Sequence, residues 1–191
     1  MIPRFPFLAC LLIAFTVTAK ADLTNTPPSA AITNSASSTN STTSADGDPL
    51  APELFAKSIR GQRAPKFEIE QWFGPAPSTQ GKFVLIDFWA TWCVGCRQSI
   101  PELNGFQKKF KDRLVIVGVT DETAEQVRKT NLPHIQYSIA SDPDERMLRA
   151  LDIQALPHSL LIDPSGIVRY EGSPLYLDEK KLQHLLDKYS R

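Results

Sequence analysis

Two cysteines three residues apart, Cys93 and Cys96, are the residues whose type and spacing most directly indicate chemistry. They stand in the segment Trp92-Cys93-Val94-Gly95-Cys96, after an apolar run and at the expected start of a helix. Backbone N–H groups and the helix dipole at such a position stabilise a thiolate. Cysteines one helical turn apart can also form a disulfide, because bridged Cα atoms are usually about 4.4–6.8 Å apart. The pair therefore predicts thiol–disulfide exchange, with one attacking thiolate that faces solvent and one resolving thiol that lies against the fold.

The elements that position this pair are indicated by the hydropathy pattern. Residues 83–89 form an apolar run rich in aromatic and β-branched side chains, which predicts a buried strand that ends just before the cysteines. Residues 93–110 carry apolar side chains at helical spacing and predict a helix, in which Pro101 is expected to produce a kink. We therefore expect the dithiol at a junction between a strand and a helix.

The rest of the pattern alternates between short apolar runs and helical segments. Further strands are predicted over residues 114–119, 137–140, 159–162 and 167–170, and further helices over 122–130, 143–151 and 178–189. Asp142 and Pro143 suit the cap and the first turn of the second of these helices. The turn sequence at 163–166 predicts a hairpin between the last two strands. This order of elements predicts an α/β sandwich with a central mixed sheet.

The first fifty residues are not expected to belong to this fold. A basic start, an apolar run and a small-x-small triplet form the three-part pattern of a secretory signal peptide over residues 1–21. The apolar run is shorter than the roughly 20 residues that cross a bilayer, and an uncleaved membrane anchor is the alternative. Residues 22–50 are rich in Ser, Thr and Asn and predict a disordered linker, because they have little to bury. The remaining residues, 51–191, are long enough for one domain with a good core.

Composition excludes several classes of protein. Hydrophobic residues make up 42% of the chain and charged residues 22%, which excludes a fully disordered chain, a collagen-like repeat and a polytopic membrane protein. The chain has 21 basic residues (Lys and Arg together) and 21 acidic residues (Asp and Glu together), so its formal net charge is zero. No nucleic-acid partner is therefore expected. Three cysteines are too few for a scaffold built on disulfides.

The residues around the dithiol resemble a known family. Residues 88–96, Phe-Trp-Ala-Thr-Trp-Cys-Val-Gly-Cys, are similar to the active-site signature of thioredoxin-fold proteins, and above all to the TlpA/ResA-like family of cell-envelope thiol–disulfide oxidoreductases. Residues 61–67, 81–86 and 155–163 resemble, in order, the opening segment, the first central strand and the cis-proline loop with the following strand. The similarity covers residues 61–189 and implies a thioredoxin-like three-layer sandwich.

The resemblance implies a role for each matching residue. Cys93 would be the attacking nucleophile and Cys96 the resolving cysteine. Pro157 would be a cis-proline beside the dithiol, which lets the backbone of Leu156 pair with an extended substrate segment. Trp92 would form the rim of this substrate-binding surface. The implied protein is an envelope or secreted reductase of protein disulfides, with disulfide-containing proteins as substrates, a membrane thiol protein as electron donor and no cofactor.

Asp87 matches the buried acid that thioredoxins carry six residues before the first cysteine. Burial would raise the pKa of its carboxyl group, which could then relay the proton of Cys96. The alternative to this role is a carboxylate at the end of a strand that only forms local hydrogen bonds. Two departures bear on this site. Residues 114–120 contain no lysine, so Asp87 lacks the cationic neighbour found in thioredoxins proper, and Gly95 stands where the family usually has proline.

The cysteine pair and its neighbours can also be compared with the sites of other classes of protein. A peroxidase of the peroxiredoxin type uses a Pro-x-x-x-Thr-x-x-Cys loop, whereas Thr91 is only two residues before Cys93. A purely structural disulfide in so short a loop would constrain the unfolded chain little, and a structural zinc site needs four ligands. The alternative of a different class is a copper-binding or copper-delivery protein that uses Cys93, Cys96 and His158. We otherwise expect His158 to begin a strand with a partly exposed ring.

Overall fold

The computed structural model describes residues 54–67 and 69–190, and the predicted signal peptide (1–21) and linker (22–50) lie outside these residues. This part of the chain contains strands β1 to β6, helices α1 to α4 and a 3-10 helix. The strands are Gln71–Trp72 (β1), Phe83–Phe88 (β2), Leu114–Thr120 (β3), Ser138–Ser141 (β4), His158–Ile162 (β5) and Val168–Gly172 (β6). The helices are Val94–Lys109 (α1), Ala124–Lys129 (α2), Arg146–Ala150 (α3) and Glu179–Tyr189 (α4), and the 3-10 helix is Pro174–Tyr176.

The six strands form one mixed sheet in the order β1-β4-β3-β2-β5-β6. Strands β2, β3 and β4 are parallel, while β1, β5 and β6 are antiparallel to their neighbours. The predicted α/β sandwich with a central mixed sheet is confirmed, and so is the predicted hairpin, which joins β5 to β6. Because β2 and β3 are parallel and central, their carboxyl ends meet at one edge of the sheet, where α1 begins.

Side chains alternate along the strands and create two buried layers. Leu85 of β2 packs on the face that is covered by α1 and α4, in one cluster with Leu103 and Leu182. Ile86 points to the opposite face and packs in a second cluster that includes Met147 of α3. Asp87, the residue after Ile86, therefore lies on the same face as α1.

Both edges of the sheet are covered by short or irregular backbone. Strand β1 has only two residues and pairs with β4, although the sequence pattern did not predict it. At the other edge, residues 61–64 run beside β6. The N–H of Gly61 donates to the carbonyl of Val168, and the N–H of Ala64 donates to the carbonyl of Gly166, both at 2.9 Å.

The two long helices lie where the sequence predicts them. Helix α1 is a single helix from Val94 to Lys109 that includes Pro101. Helix α4 begins after Asp178, whose carboxylate accepts the N–H of Lys181 at 2.7 Å as an N-cap. None of the helices in residues 54–67 and 69–190 combines the length and apolar character that crossing a membrane requires.

The predicted start of the third helix is wrong. Helix α3 begins at Arg146 rather than at Pro143, and its N-cap is Glu145 in the left-handed conformation with φ of 51°. The N–H of Glu145 donates to the carbonyl of Asp142 at 2.8 Å, so a tight turn occupies the place of the expected first helical turn. The carboxylate of Asp142 still serves the helix, because it accepts the N–H of Met147 at 2.9 Å.

Gly118 in the middle of β3 lies where two aromatic rings cross the sheet. A Cβ atom at this position would be 2.8 Å from Nε1 of Trp89 and 3.1 Å from Cε2 of Tyr137. Both distances are shorter than ordinary van der Waals contact. The absence of a side chain at residue 118 is therefore what allows the two rings to pack over β3.

We expect Gly118→Ala to lower the free energy of unfolding by about 1–3 kcal/mol, because the added methyl group overlaps two buried rings. Gly105→Ala is the matched control, since Gly105 lies in α1 and a Cβ there would meet nothing within 4 Å. Alanine is favoured over glycine inside a helix by about 1 kcal/mol, so the control is expected to be neutral or stabilising. Urea unfolding of the oxidised protein measures both changes. Equal effects of the two substitutions would contradict the packing argument.

Candidate active site

Cys93 and Cys96 are joined by a disulfide at the start of α1, with their Cα atoms 5.3 Å apart. Cys93 is the N-cap of the helix, and its Sγ accepts the N–H of Cys96 at 3.1 Å. The first turn of α1 contains no acidic residue. A thiolate at Cys93 would therefore receive a backbone hydrogen bond and the positive end of the helix dipole, with no acidic side chain in the same turn.

The two sulfurs differ in exposure less than the sequence analysis expects. Cys96 is fully buried and Cys93 is 6% exposed, so Cys93 is the more accessible but does not stand open to solvent. Both pack in a small cluster with Trp89 and Ala90, which follow β2. A substrate must therefore reach Cys93 over the rim of this cluster.

The loop between β2 and α1 is held by Glu122, a residue that the sequence analysis missed. The backbone N–H of Thr91 donates to Oε2 of Glu122 at 2.6 Å, and the Thr91 hydroxyl donates to Oε1 at 2.5 Å. Glu122 lies two residues beyond the end of β3, which is parallel to β2. The sequence signal that could have revealed Glu122 is an acidic residue just after the strand that neighbours β2.

The peptide bond between Leu156 and Pro157 is cis, as the resemblance implies. A Cβ atom at Gly95 would be 3.1 Å from Cδ of Pro157, so the first turn of α1 lies directly against this proline. Leu156 packs against the cluster that contains Cys93. The structure thus brings the dithiol and the cis-proline loop together, and the close approach accounts for a glycine at position 95.

The rim of the site is apolar and exposed. Trp92 is 70% exposed, Val94 is 67% exposed, and Leu175 and Tyr176 of the 3-10 helix are also exposed. Leu175 is 3.6 Å from the Cβ position of Gly95, which makes it part of the same surface.

A shallow groove of about 370 Å³ runs from this rim towards α3. Its apolar lining includes both tryptophans of the site, and its acidic lining comes from Asp121 and Glu145. The full lining is Trp89, Trp92, Asp121, Glu145, Leu148, Ile153, Gln154, Ala155 and Leu156. The groove therefore connects the rim at Trp92 with the loop that contains Leu156.

Asp87 is fully buried beneath this surface. The hydroxyl of Ser159 donates to its Oδ1 at 2.9 Å, while Oδ2 has no hydrogen-bond partner among residues 54–67 and 69–190. Burial raises the pKa of Asp87 to about 7, although the hydrogen bond from Ser159 acts in the opposite direction. Gly118 is the residue of β3 that pairs with Asp87, so this position of β3 places no cationic side chain beside the carboxylate. The raised pKa agrees with the expectation from sequence, while its role as a proton relay remains a prediction.

Among the described residues, His158 does not form a metal site with the two sulfurs. It begins β5 as expected, but the prediction of a partly exposed ring is wrong because the residue is 3% exposed. Its ring contacts Phe88, and its Nε2 is 4.0 Å from Oε1 of Glu171. Burial lowers the pKa of His158 to about 4, so the ring is neutral at pH 7. Among the residues described, no group of three or more His, Cys, Asp or Glu side chains could hold a metal ion.

Comparisons with known proteins agree with this geometry. A model of the AhpC/TSA family matches residues 60–171, more than half of the chain. The thioredoxin-like protein YneN of Bacillus subtilis (strain 168) is 32% identical over 136 residues, which cover 66% of this chain and 78% of that protein. The thiol:disulfide interchange protein DsbE of Tatumella citrea is 30% identical over 159 residues, which cover 77% and 83%.

A solved structure of a thioredoxin-like protein in the oxidised form gives the same result for the fold. It is 26% identical, has a TM-score of 0.58, and the match covers 68% of this chain and 97% of that one. The thioredoxin-like sandwich and the resemblance inferred from residues 88–96 are thereby confirmed.

We expect Asp87→Asn to stabilise the protein increasingly as the pH rises. The folded state keeps the proton of Asp87 up to about pH 7, whereas the unfolded chain releases it near 3.8, the ordinary pKa of an aspartate. Stability therefore falls as the pH rises through this interval, and a neutral amide removes the loss. The advantage of the variant should grow from near zero at about pH 4 to about 4 kcal/mol at about pH 8.

Urea unfolding across this pH range measures the effect, and Asp112→Asn, at an exposed carboxylate, is the control. The same pH dependence in both variants would contradict the assignment to Asp87.

We expect Glu122→Ala to lower the free energy of unfolding by about 1–3 kcal/mol, because both donors of Thr91 lose their partner. Glu125→Ala is the matched control. Glu125 lies in α2 and forms an exposed pair with Lys129 at 2.6 Å, which contributes less than about 0.5 kcal/mol. Thermal unfolding of the oxidised protein compares them, and a loss no larger than the control's would show that Glu122 does not hold the loop.

Proposed function

The chain belongs to the AhpC/TSA family and is a thiol–disulfide oxidoreductase, and from this premise we propose that it reduces protein disulfides in the cell envelope or outside the cell. The observation that carries the proposal is the Cys93–Cys96 disulfide at the start of α1, with the N–H of Cys96 on Cys93 Sγ. This arrangement stabilises one thiolate and keeps the second sulfur within reach of it.

The first step is attack on the substrate. In the reduced protein, the Cys93 thiolate attacks one sulfur of a substrate disulfide and forms a mixed disulfide. The other substrate sulfur leaves with the electron pair of the broken bond and takes up a proton. The hydrogen bond from Cys96 N–H and the dipole of α1 favour Cys93 as the nucleophile, and the complete burial of Cys96 disfavours it in that role.

The second step releases the product. Cys96 loses its proton and attacks Sγ of Cys93, which forms the intramolecular disulfide and frees the second substrate thiolate. Asp87, buried on the face of the sheet that α1 covers, is the group proposed to accept this proton. A carboxyl group with a pKa of about 7 can exchange a proton near neutral pH.

Substrate binding is proposed on the surface around the dithiol. The backbone of Leu156, before cis-Pro157, would pair with an extended substrate segment, and Trp92 would cover the substrate from the rim. The exposed apolar side chains of Val94 and Leu175 support this assignment, because apolar patches on a monomer mark sites of protein contact.

The proposed location depends on residues that precede the fold. Residues 1–21 would be a signal peptide or a membrane anchor, and residues 22–50 would tether the domain of residues 51–191. An oxidising compartment makes disulfides the default state, so a reductase there needs its own supply of electrons. We therefore propose a membrane thiol protein as the donor, which would transfer two electrons to the oxidised pair by the reverse exchange.

The competing functions have less support. The copper alternative needs His158 beside Cys93 and Cys96, but the His158 ring contacts Phe88 and lies near Glu171. The peroxidase alternative is not supported by Thr91, whose hydroxyl and N–H are both bound to Glu122.

We expect the reduced protein to reduce insulin disulfides, and Cys93→Ser to abolish this activity. Cys96→Ser should instead accumulate a mixed disulfide with the substrate through Cys93, because the resolving thiol is absent. Turbidity follows insulin reduction, and non-reducing electrophoresis detects the trapped complex. Trapping through Cys96 in the Cys93→Ser variant would contradict the assignment of the two roles.

The reduction potential of the Cys93–Cys96 pair tests the direction of electron flow. Alkylation trapping of the full chain in thiol buffers gives this value. A potential near roughly −270 mV supports a dedicated reductase. A potential near roughly −120 mV would make the protein an oxidant and overturn the proposed direction.

A further inference from the structure

Three buried side chains on one side of the sheet each have a polar atom without a hydrogen-bond partner among the described residues. These side chains belong to Asp87, Trp89 and Tyr137, and their unpaired atoms are Oδ2, Nε1 and the phenol oxygen. No residue among 54–67 and 69–190 supplies a partner to any of the three. Buried polar atoms are seldom left unpaired, so three in one place point to a shared partner.

The three groups surround one point of the sheet. Gly118 is the residue that faces Asp87 in the register of β2 and β3. The Cβ position of Gly118 is 2.8 Å from Nε1 of Trp89 and 3.1 Å from Cε2 of Tyr137. Asp87 and Trp89 are two residues apart along extended backbone and therefore project from the same face. The backbone of β3 opposite Asp87 is thus bordered by an indole and a phenol.

The hydrogen-bonding types of these groups are complementary. The Trp89 Nε1–H is a donor only, and an ionised Asp87 is an acceptor only. Burial, and then the charge of Asp87, raise the pKa of the Tyr137 phenol above its usual value, so it keeps its proton and can donate. A buried water typically makes about three hydrogen bonds to buried polar groups that otherwise lack partners. Two donors and one carboxylate oxygen match that number.

We propose that Tyr137 is a positioning residue, which together with Trp89 donates through one shared buried water to the carboxylate of Asp87 and so keeps Asp87 able to accept the proton of Cys96. This inference rests on the proposed function for the step that it serves. In that step the Cys96 proton moves to Asp87, and the Cys96 thiolate attacks Sγ of Cys93. The bond between Cys93 and the substrate sulfur breaks, and its electron pair leaves with the substrate thiolate.

The described residues around Asp87 supply one direct hydrogen bond, from Ser159 to Oδ1. Burial raises the pKa of Asp87, the hydrogen bond from Ser159 acts in the opposite direction, and no charged side chain contributes to the shift. Strand β3 contributes Gly118, and β5 contributes Ser159. The buried titratable groups on this side of the sheet are the Tyr137 phenol, just before β4, the Cys96 thiol on α1 in the reduced protein, and the Tyr170 phenol of β6, which donates to the carbonyl of Ser173.

The test is the titration of the Asp87 carboxyl group in the full chain, followed by carbon-13 NMR. Tyr137→Phe keeps the ring and removes the donor, and we expect the titration midpoint of Asp87 to rise by about one pH unit. Tyr170→Phe is the matched control. Tyr170 is buried in the same core cluster, but its hydroxyl donates to the carbonyl of Ser173 at 2.7 Å. We expect no shift in this control, and Asp87→Asn identifies the signal because it removes it.

An unchanged midpoint in Tyr137→Phe, or an equal shift in Tyr170→Phe, would overturn the proposal. Trp89→Phe removes the other donor and serves as a second variant, for which a rise in the midpoint is also expected. The acid limb of the pH–rate profile for insulin reduction should move in the same direction and by the same amount in Tyr137→Phe.

Because the titration needs no substrate, it tests the role of Tyr137 independently of the proposed reduction of protein disulfides. A shifted midpoint without insulin reduction would overturn the proposed function and support the hydrogen bond to Asp87. Insulin reduction with an unshifted midpoint would overturn the role of Tyr137.

Discussion

The hydrogen bond from the Cys96 N–H to Cys93 Sγ is the interaction on which the rest of the site depends. It exists only if the chain leaves β2 and turns into α1 with Cys93 as the N-cap. Two contacts from distant parts of the chain fix that turn. Glu122 holds the loop from the end of β3, and Pro157 lies against the first helical turn at Gly95. The parallel pairing of β2 with β3 brings Glu122 to this edge of the sheet, and the antiparallel pairing of β2 with β5 brings Pro157 there.

Local patterns in the sequence account for most of the fold. The apolar run over 83–89, the helix after Cys93 and the hairpin around 163–166 were predictable because each is specified by residues close together in the chain. Helix α3 was predicted to begin too early, since a cap and a proline at 142–143 also suit a tight turn. Strand β1 was missed because two residues are too few to show any periodicity.

Contacts between distant segments explain what could not be predicted in the site. Cys93, Cys96 and Pro157 are part of a recognisable motif, whereas Glu122 and Tyr137 reach the site through the register of the sheet and belong to no such motif. The burial of His158 has the same origin. Its position at the start of a strand suggested exposure, but pairing with Phe88 places it inside the sheet. The register of strand pairing therefore determines which side chains lie in the candidate site.

The covered edges of the sheet have a consequence for association between copies. A sheet edge with free N–H and carbonyl groups can pair with a strand of another molecule and begin aggregation. Here residues 61–64 lie along β6, and the two-residue β1 caps β4. Among residues 54–67 and 69–190, an incoming strand-forming segment therefore meets short or irregular backbone at both edges and no long free strand. Pairing between copies of the chain through the sheet margins is thereby disfavoured.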